Sequence, residues 1–282
     1  MALSKYPVDV KLHPIPDRAP AGLALGPPMR PKEHGAWAVL LGAFLAGIGV
    51  AGHLTLPLVL LLGALVCLAL ANGPMTALVR CGPADRLVRG RALRWLLVYA
   101  AGTAVFALPL LFTIPWPVLS RFVLLAIAFA VVRVLFVRQS WDRSVAGELV
   151  GVAGMSLAGP AVTAIFHSTV QSVDSVLWLL LCLYFGSGVF YVRMRVRTGL
   201  RNAVRGGRSA RACVAYHLLL VGIVAVLGAT GVVSWLVGLA FVPALWRVAV
   251  GLGRTGRLNL RRLGWSEVAF AAVFVGALVL AF

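Results

Sequence analysis

Nine runs of apolar residues follow one another along the chain, at 36–52, 55–73, 95–112, 118–138, 146–166, 175–193, 212–230, 233–250 and 265–282. Each approaches the roughly 20 apolar residues a helix needs to cross a hydrocarbon core. The runs are apolar on every side rather than alternating, which excludes a transmembrane β-barrel. The pattern predicts an all-α, polytopic membrane helix bundle of about nine transmembrane helices. The separators at 53–54 and 231–232 are so short that each adjoining pair could instead form one long kinked helix. Gly159-Pro160 predicts a kink or break in the fifth run, the one clear break in the pattern. Asn72-Gly73-Pro74 reads as a helix stop at the end of the second. Gly147 and Gly151 form a small-xxx-small pair suited to close helix packing.

Residues 1–30 break this pattern. They hold six of the 15 prolines and no long apolar run. They read as a disordered, Pro-rich cytoplasmic tail without the apolar stretch of a signal peptide, leaving 31–282 as a single transmembrane helical domain.

Composition agrees: 61% of the 282 residues are hydrophobic and 12% charged, and mean hydropathy is +0.97. A water-soluble globular domain is excluded. The net charge of +18, from 26 Lys+Arg against 8 Asp+Glu, would suggest nucleic acid in a soluble protein. In a membrane protein it marks cytoplasmic loops and contact with anionic lipid headgroups. Residues 1–32 and the segments 79–94, 133–143, 193–211 and 247–262 together hold 25 of the 26 basic residues, leaving only Arg121 on the other side. This predicts an N-in, C-out topology. The expected partners are membrane lipids and anionic headgroups at the cytoplasmic face, with no nucleic acid. The four cysteines (67, 81, 182 and 213) form no CxxC pair, so neither a zinc site nor a disulfide framework is predicted. No nucleotide-binding or hydrolase motif is present, and no metal or cofactor is expected.

Ionisable groups inside spans are costly and point to function by default. Arg133 falls about five residues from the inner end of its span, about 7 Å deep, and Glu148 and Glu267 about three residues in, about 5 Å, at 1.5 Å per residue. The common depth predicts that these three, with Glu33 and His34, converge on one inner-leaflet polar cavity. Buried Arg–Glu pairing that locks helices together is the plainer alternative. Glu33-His34, ahead of Gly35, offers an acid–imidazole pair, although a capped, Trp37-anchored helix start accounts for much of the same stretch. Glu33, His34 and Glu148 are the catalytic candidates. Lys32, Asn72, Arg133, Arg193, Arg197 and Glu267 are the candidate ligand-binding residues, with Arg193, Arg197, Arg201 and Arg205 spaced four apart as a basic extension of the sixth span.

Pro31-Lys32-Glu33-His34-Gly35-Ala36-Trp37 resembles the N-terminal signature of the YwiC-like family of bacterial membrane proteins. Ser140-Trp141-Asp142-Arg143 with Glu148, Tyr184-Phe185 with Tyr191-Val192-Arg193, and Gly264 with Glu267 are similar to that family too. The resemblance implies a multi-pass protein of the bacterial cytoplasmic membrane and assigns no reaction. Nine helices with polar groups on the cytoplasmic side also look like the UbiA superfamily of intramembrane prenyltransferases. That likeness implies two Asp-rich, magnesium-binding motifs, but the matching positions here read Asn72-Gly73-Pro74-Met75-Thr76 and Arg193-Met194-Arg195-Val196-Arg197. Without carboxylates the metal has no ligands there, while arginine can hold a phosphate directly. The expected function is to bind an amphipathic anion, such as a lipid or polyprenyl phosphate, at the inner leaflet. A small-solute or ion transporter and a non-catalytic assembly subunit are the alternatives, and whether the protein is an enzyme stays open.

Overall fold

The computed structural model describes residues 27–29, 34–82, 85–200, 203–253 and 259–282, with only the backbone at 34, 199–200 and 203–206. The predicted tail and the Pro31–Glu33 stretch lie outside these residues, apart from 27–29. The described chain is helical, without a strand: α1 His34–Ala51, α2 Leu56–Arg80, α3 Arg86–Ala107, α4 Leu110–Thr113, α5 Trp116–Arg138, α6 Val145–Ser156, α7 Ala158–His167, α8 Ser172–Leu200, α9 Ala203–Ala229, α10 Leu236–Ala240, α11 Val242–Leu252 and α12 Leu260–Ala281. Among the described residues, seven segments are long and apolar enough to cross a membrane. The two shorter apolar segments, Gly35–Ala51 and Leu236–Leu252, bring the number to the nine predicted.

The two doubtful separators are true turns. Gly52 (φ +99°) follows α1 and Gly231 (φ +70°) follows α9. Both are in the left-handed region, where a side chain is strained, so glycine ends the helix. The break predicted at Gly159-Pro160 is also present, between α6 and α7 at Leu157. Pro160 has no N–H for the Ser156 carbonyl four residues earlier, and its ring clashes with that carbonyl, so the distortion falls just ahead of it.

Two expectations are corrected. Asn72-Gly73-Pro74 does not end α2, which runs through a buried Pro74 to Arg80. One lost hydrogen bond does not stop a helix in an apolar setting, where an unwound segment would expose many more unsatisfied backbone groups. Nor is Gly159-Pro160 the one break: α3 and α4 part at Leu108-Pro109, and α10 and α11 at Phe241, two residues before Pro243. The Gly147/Gly151 pair packs locally rather than between helices. A Cβ on Gly147 would meet the backbone carbonyl of Trp141, while Gly151 has open space.

Close helix packing falls elsewhere, where a Cβ on Gly47 of α1 would sit 2.5 Å from the Gly159 carbonyl of α7. This contact brings α1 against the broken segment at the centre of the bundle. α8 is the hub, touching α1, α6, α7, α9, α11 and α12. The main core gathers around Phe44, Leu177, Leu181, Tyr184, Phe241 and Phe274, with Tyr184 stacked on Phe274 at a centroid distance of 3.7 Å. At one end of the bundle, Asp174 at the start of α8 is buried. It accepts hydrogen bonds from its own Gln171 N–H (2.7 Å) and from the Thr163 hydroxyl of α7. The first is half of a capping box; the second pins α7 to α8.

Candidate functional site: arginine–carboxylate pairs on both sides of α8

Beyond the N-terminal stretch the chain has only five acidic residues: Asp85, Asp142, Glu148, Asp174 and Glu267. Three of them, at the end of the bundle opposite Asp174, each pair with one arginine: Asp142 with Arg80, Glu148 with Arg193, and Glu267 with Arg247. Local sequence sets up two of these ends. Ser144 caps α6 by accepting from Gly147 N–H at 3.0 Å, placing Glu148 in the first turn. Asn259 caps α12 by accepting from Arg262 N–H at 3.0 Å, two turns ahead of Glu267.

The first group gathers on the α5–α6 turn. Both Glu148 oxygens accept from the Arg193 guanidinium, at 2.8 Å each, and the same guanidinium donates to the Arg143 carbonyl. Next to it, Arg80 from the end of α2 donates to Asp142 at 2.6 Å. Asp142 is 9% exposed. Arg133 reaches the Asp142 carbonyl at 3.5 Å. Four helices and one turn are thus tied together by charge-assisted bonds, the bidentate Glu148–Arg193 pair being the strongest kind.

The second group is on another face of α8. Arg247 of α11, 3% exposed, donates to Glu267 of α12 and, at 2.6 Å, to the Ser187 hydroxyl of α8. Its guanidinium carbon lies 5.4 Å from the Tyr184 ring centroid and 5.3 Å from that of Tyr191, close enough for cation–π attraction. Tyr184, Ser187 and Tyr191 recur at three- and four-residue spacing, so one stripe of α8 faces Arg247. This polar layer separates the main core from a smaller apolar cluster of Tyr191, Met194, Cys213, Val248 and Leu263.

The candidate residues therefore divide. Glu148 and Arg193 come together directly. Arg133 joins the same turn through Asp142, and no ion pair links it to Glu148 among the described residues. Glu267 belongs to the second group. Arg193 and Ser187, which carry the two groups on α8, are six residues apart, about 9 Å along the axis. Arg197 donates to Ser209 of α9 at 2.9 Å. Asn72 is inside α2, its side-chain oxygen buried without a hydrogen-bond partner. Lys32 and Glu33 lie outside the described residues, as does the His34 side chain.

Sequence reasoning missed Arg247 as a site residue, having counted it among the loop charges that set topology. It also missed Arg80 with Asp142, and Ser187. A usable signal was present: where acids are so scarce, each acid beyond the N-terminal stretch deserves a search for its arginine.

Such a fold, all-helical and with nine apolar segments, defines a multi-pass membrane-type protein of which the paired arginines are the main polar feature. The comparisons place it further. The model of the YwiC-like protein family matches residues 30–163. An uncharacterized protein of Haemophilus influenzae is 29% identical over 256 residues, 89% of this chain and 97% of its own. The uncharacterized protein YwiC of Bacillus subtilis is 28% identical over 250 residues, 89% of this chain and 96% of its own. The resemblance to the YwiC-like family thus holds, and the two relatives carry it across nearly the whole chain. No solved structure matches.

Proposed function

We propose that the protein binds an amphipathic anion, a lipid or polyprenyl phosphate, at the cytoplasmic end of its bundle in the bacterial plasma membrane. The observation that carries this reading is the imbalance left after pairing. Among the described residues, Arg133 and Arg197 have only neutral partners, a backbone carbonyl and a serine hydroxyl, in a chain whose net charge is +18. Guanidinium groups without a carboxylate beside apolar helix walls suit a phosphate with a long apolar tail. Lys32, Asn72 and the Glu148–Arg193 and Glu267–Arg247 pairs would border the ligand. Glu33, His34 and Glu148 are the groups to test for proton transfer. In this reading residues 1–30 form a cytoplasmic tail ahead of one transmembrane domain. No transfer step is assigned, because the chain lacks the Asp-rich motifs of prenyltransferases.

Native mass spectrometry of the detergent-purified full chain tests the reading. The expected result is a retained phosphate-bearing lipid that the Arg133→Ala/Arg197→Ala variant loses. Absence of any such lipid above the detergent background would overturn it. Orientation is tested separately: reporter fusions at 85 and 202 should read cytoplasmic and one after Phe282 external, whereas a cytoplasmic C-terminus would rule out N-in, C-out.

A second reading, a small-solute transporter, is favoured by the second break. Discontinuous helices in pairs often border a transport site, and here the breaks at Leu157 and Phe241 are in two spans that both pack on α8. Solute flux in proteoliposomes would decide for it.

A further inference from the structure

Four side-chain atoms around Arg247 are buried and have no hydrogen-bond partner among the described residues: Arg247 Nε, Glu267 Oε1, the Tyr184 hydroxyl and His217 Nε2. Arg247, Tyr184 and His217 are 3%, 2% and 5% exposed. Such atoms are individually costly, about 1–3 kcal/mol each when left unsatisfied, and most proteins hold only a few per hundred residues. Four from α8, α9, α11 and α12 share one neighbourhood. Arg247 bonds Glu267 and lies over the rings of Tyr184 and Tyr191, and His217 bonds the carbonyl of Cys213, which packs in one cluster with Tyr191 and Val248, the residue after Arg247.

The tautomer of His217 follows from its surroundings. Its Nδ1 lies 2.7 Å from the Cys213 carbonyl one turn back. A carbonyl only accepts, so Nδ1 carries the hydrogen, and in the neutral ring Nε2 is then a bare lone pair. The free Glu267 oxygen is likewise an acceptor. Two acceptors beside one guanidinium disfavour a metal cation, and no cluster of three His, Cys, Asp or Glu residues is found among the described residues. Both free acceptors are atoms that can take up a proton.

We propose that His217 and Glu267, with Arg247 as the fixed counter-charge, form a proton-binding unit inside the bundle. The neighbouring elements add few competing groups. α8 brings Tyr184 and Tyr191, and α9 adds Cys213 and Tyr216. α10 has no titratable side chain, and α1 has only His34, at its first residue. Protonating Glu267 would neutralise the partner of Arg247; protonating His217 would put a second positive charge near it. Each event changes the hold of α11 on α12 six residues past the Phe241 break, where a helix already interrupted can move. The inference shares the Glu267–Arg247 pair with the anion reading but can fail separately from it, since lipid retention is tested at Arg133 and Arg197 and proton binding at Glu267 and His217.

Infrared difference titration of the full chain in lipid nanodiscs tests it. The wild type should show a carboxyl protonation band that disappears in Glu267→Gln and survives in Glu148→Gln. His217→Gln should shift that band's midpoint by about one pH unit or more, the mark of interacting sites. A band that survives Glu267→Gln, or a midpoint that His217→Gln leaves in place, would overturn the proposal. If Glu267→Gln does not fold, nitrogen NMR of histidine-labelled wild-type protein decides, with His217→Gln assigning the signal. Uptake of a proton at Nε2 over the range of the carboxyl band supports the unit, and an Nε2 that stays bare until the protein unfolds overturns it.

Discussion

Glu148–Arg193 and Glu267–Arg247 join the same two residue types, and both touch α8, yet their physics differs. In the first pair the side chains are 40% and 21% exposed, and both carboxylate oxygens are bonded. In the second they are 19% and 2% exposed, one carboxylate oxygen has no partner, and the arginine is held further by a serine and two aromatic rings. An exposed, geometrically complete pair is a fastening that solvent and salt weaken. A buried, incompletely satisfied pair is poor as a fastening, because desolvation offsets its Coulombic attraction. Its retention in the interior points to a use beyond stability. The comparison separates a topological clasp at the surface from an electrostatic centre inside.

The sharpest way to break this contrast is to remove one partner from the interior pair. Arg247→Ala leaves Glu267 charged and buried, and should cost about 3–5 kcal/mol, measured by thermal or SDS-induced unfolding in detergent. A loss below about 1 kcal/mol would show that water already reaches the pair, and the two sites would then be alike.

The reciprocal experiment replaces both partners. Arg247→Met with Glu267→Leu keeps volume and removes both charges, and such replacements are often neutral or stabilising by about 1–4 kcal/mol. The expected outcome is a fold at least as stable as wild type that has lost the carboxyl protonation band. A double variant as damaged as Arg247→Ala would mean that the bonds to Ser187 and the tyrosines, rather than the ion pair, hold α11 in place.

How much of this was legible beforehand depended on whether the signal was local. The nine segments were readable because each is a long apolar run, whereas the short separators at 53–54 and 231–232 fit a long kinked helix equally well until the left-handed backbone of Gly52 and Gly231 is seen. Glu148 and Glu267 stood out as acids within such runs. Pro74 was misread because a local stop signal is outweighed by the cost of unwinding a helix in apolar surroundings. The break at Phe241 was missed although Pro243 falls in the middle of the 233–250 run, where a proline interrupts a helix just ahead of itself. Arg247 was misread because an arginine near the end of an apolar run normally marks topology. Its burial depends on Ser187, Tyr184 and Glu267, residues 20 to 63 positions away, which no local pattern relates to it.

Between the extremes is Arg80–Asp142, with an arginine 40% and an aspartate 8% exposed. Arg80→Ala leaves a buried acceptor without its donor and should cost about 1–3 kcal/mol. Arg133, already 3.5 Å from the Asp142 carbonyl, is the candidate replacement cation. A loss that becomes larger than additive when Arg133→Ala is combined with Arg80→Ala would show that it serves as one.

The smallest effect is expected at the surface pair, and it completes the comparison. Glu148→Gln, Arg193→Ala and the double variant form a cycle whose coupling energy should fall near 0.2–1 kcal/mol, the range of exposed pairs, and shrink further at high salt. Bidentate geometry and the added bond to the Arg143 carbonyl place the value toward the upper part of that range. The physical reason is that both side chains are only partly buried, so removal of one leaves a partner that is still partly accessible. Because Glu148 is also a candidate for proton transfer, the cycle has a second use. If Glu148→Gln costs little stability yet abolishes whatever activity or ligand retention the protein shows, the residue acts on a ligand rather than on the fold. If stability and ligand retention fall together by several kcal/mol, the clasp is a structural element, and the distinction drawn from exposure fails.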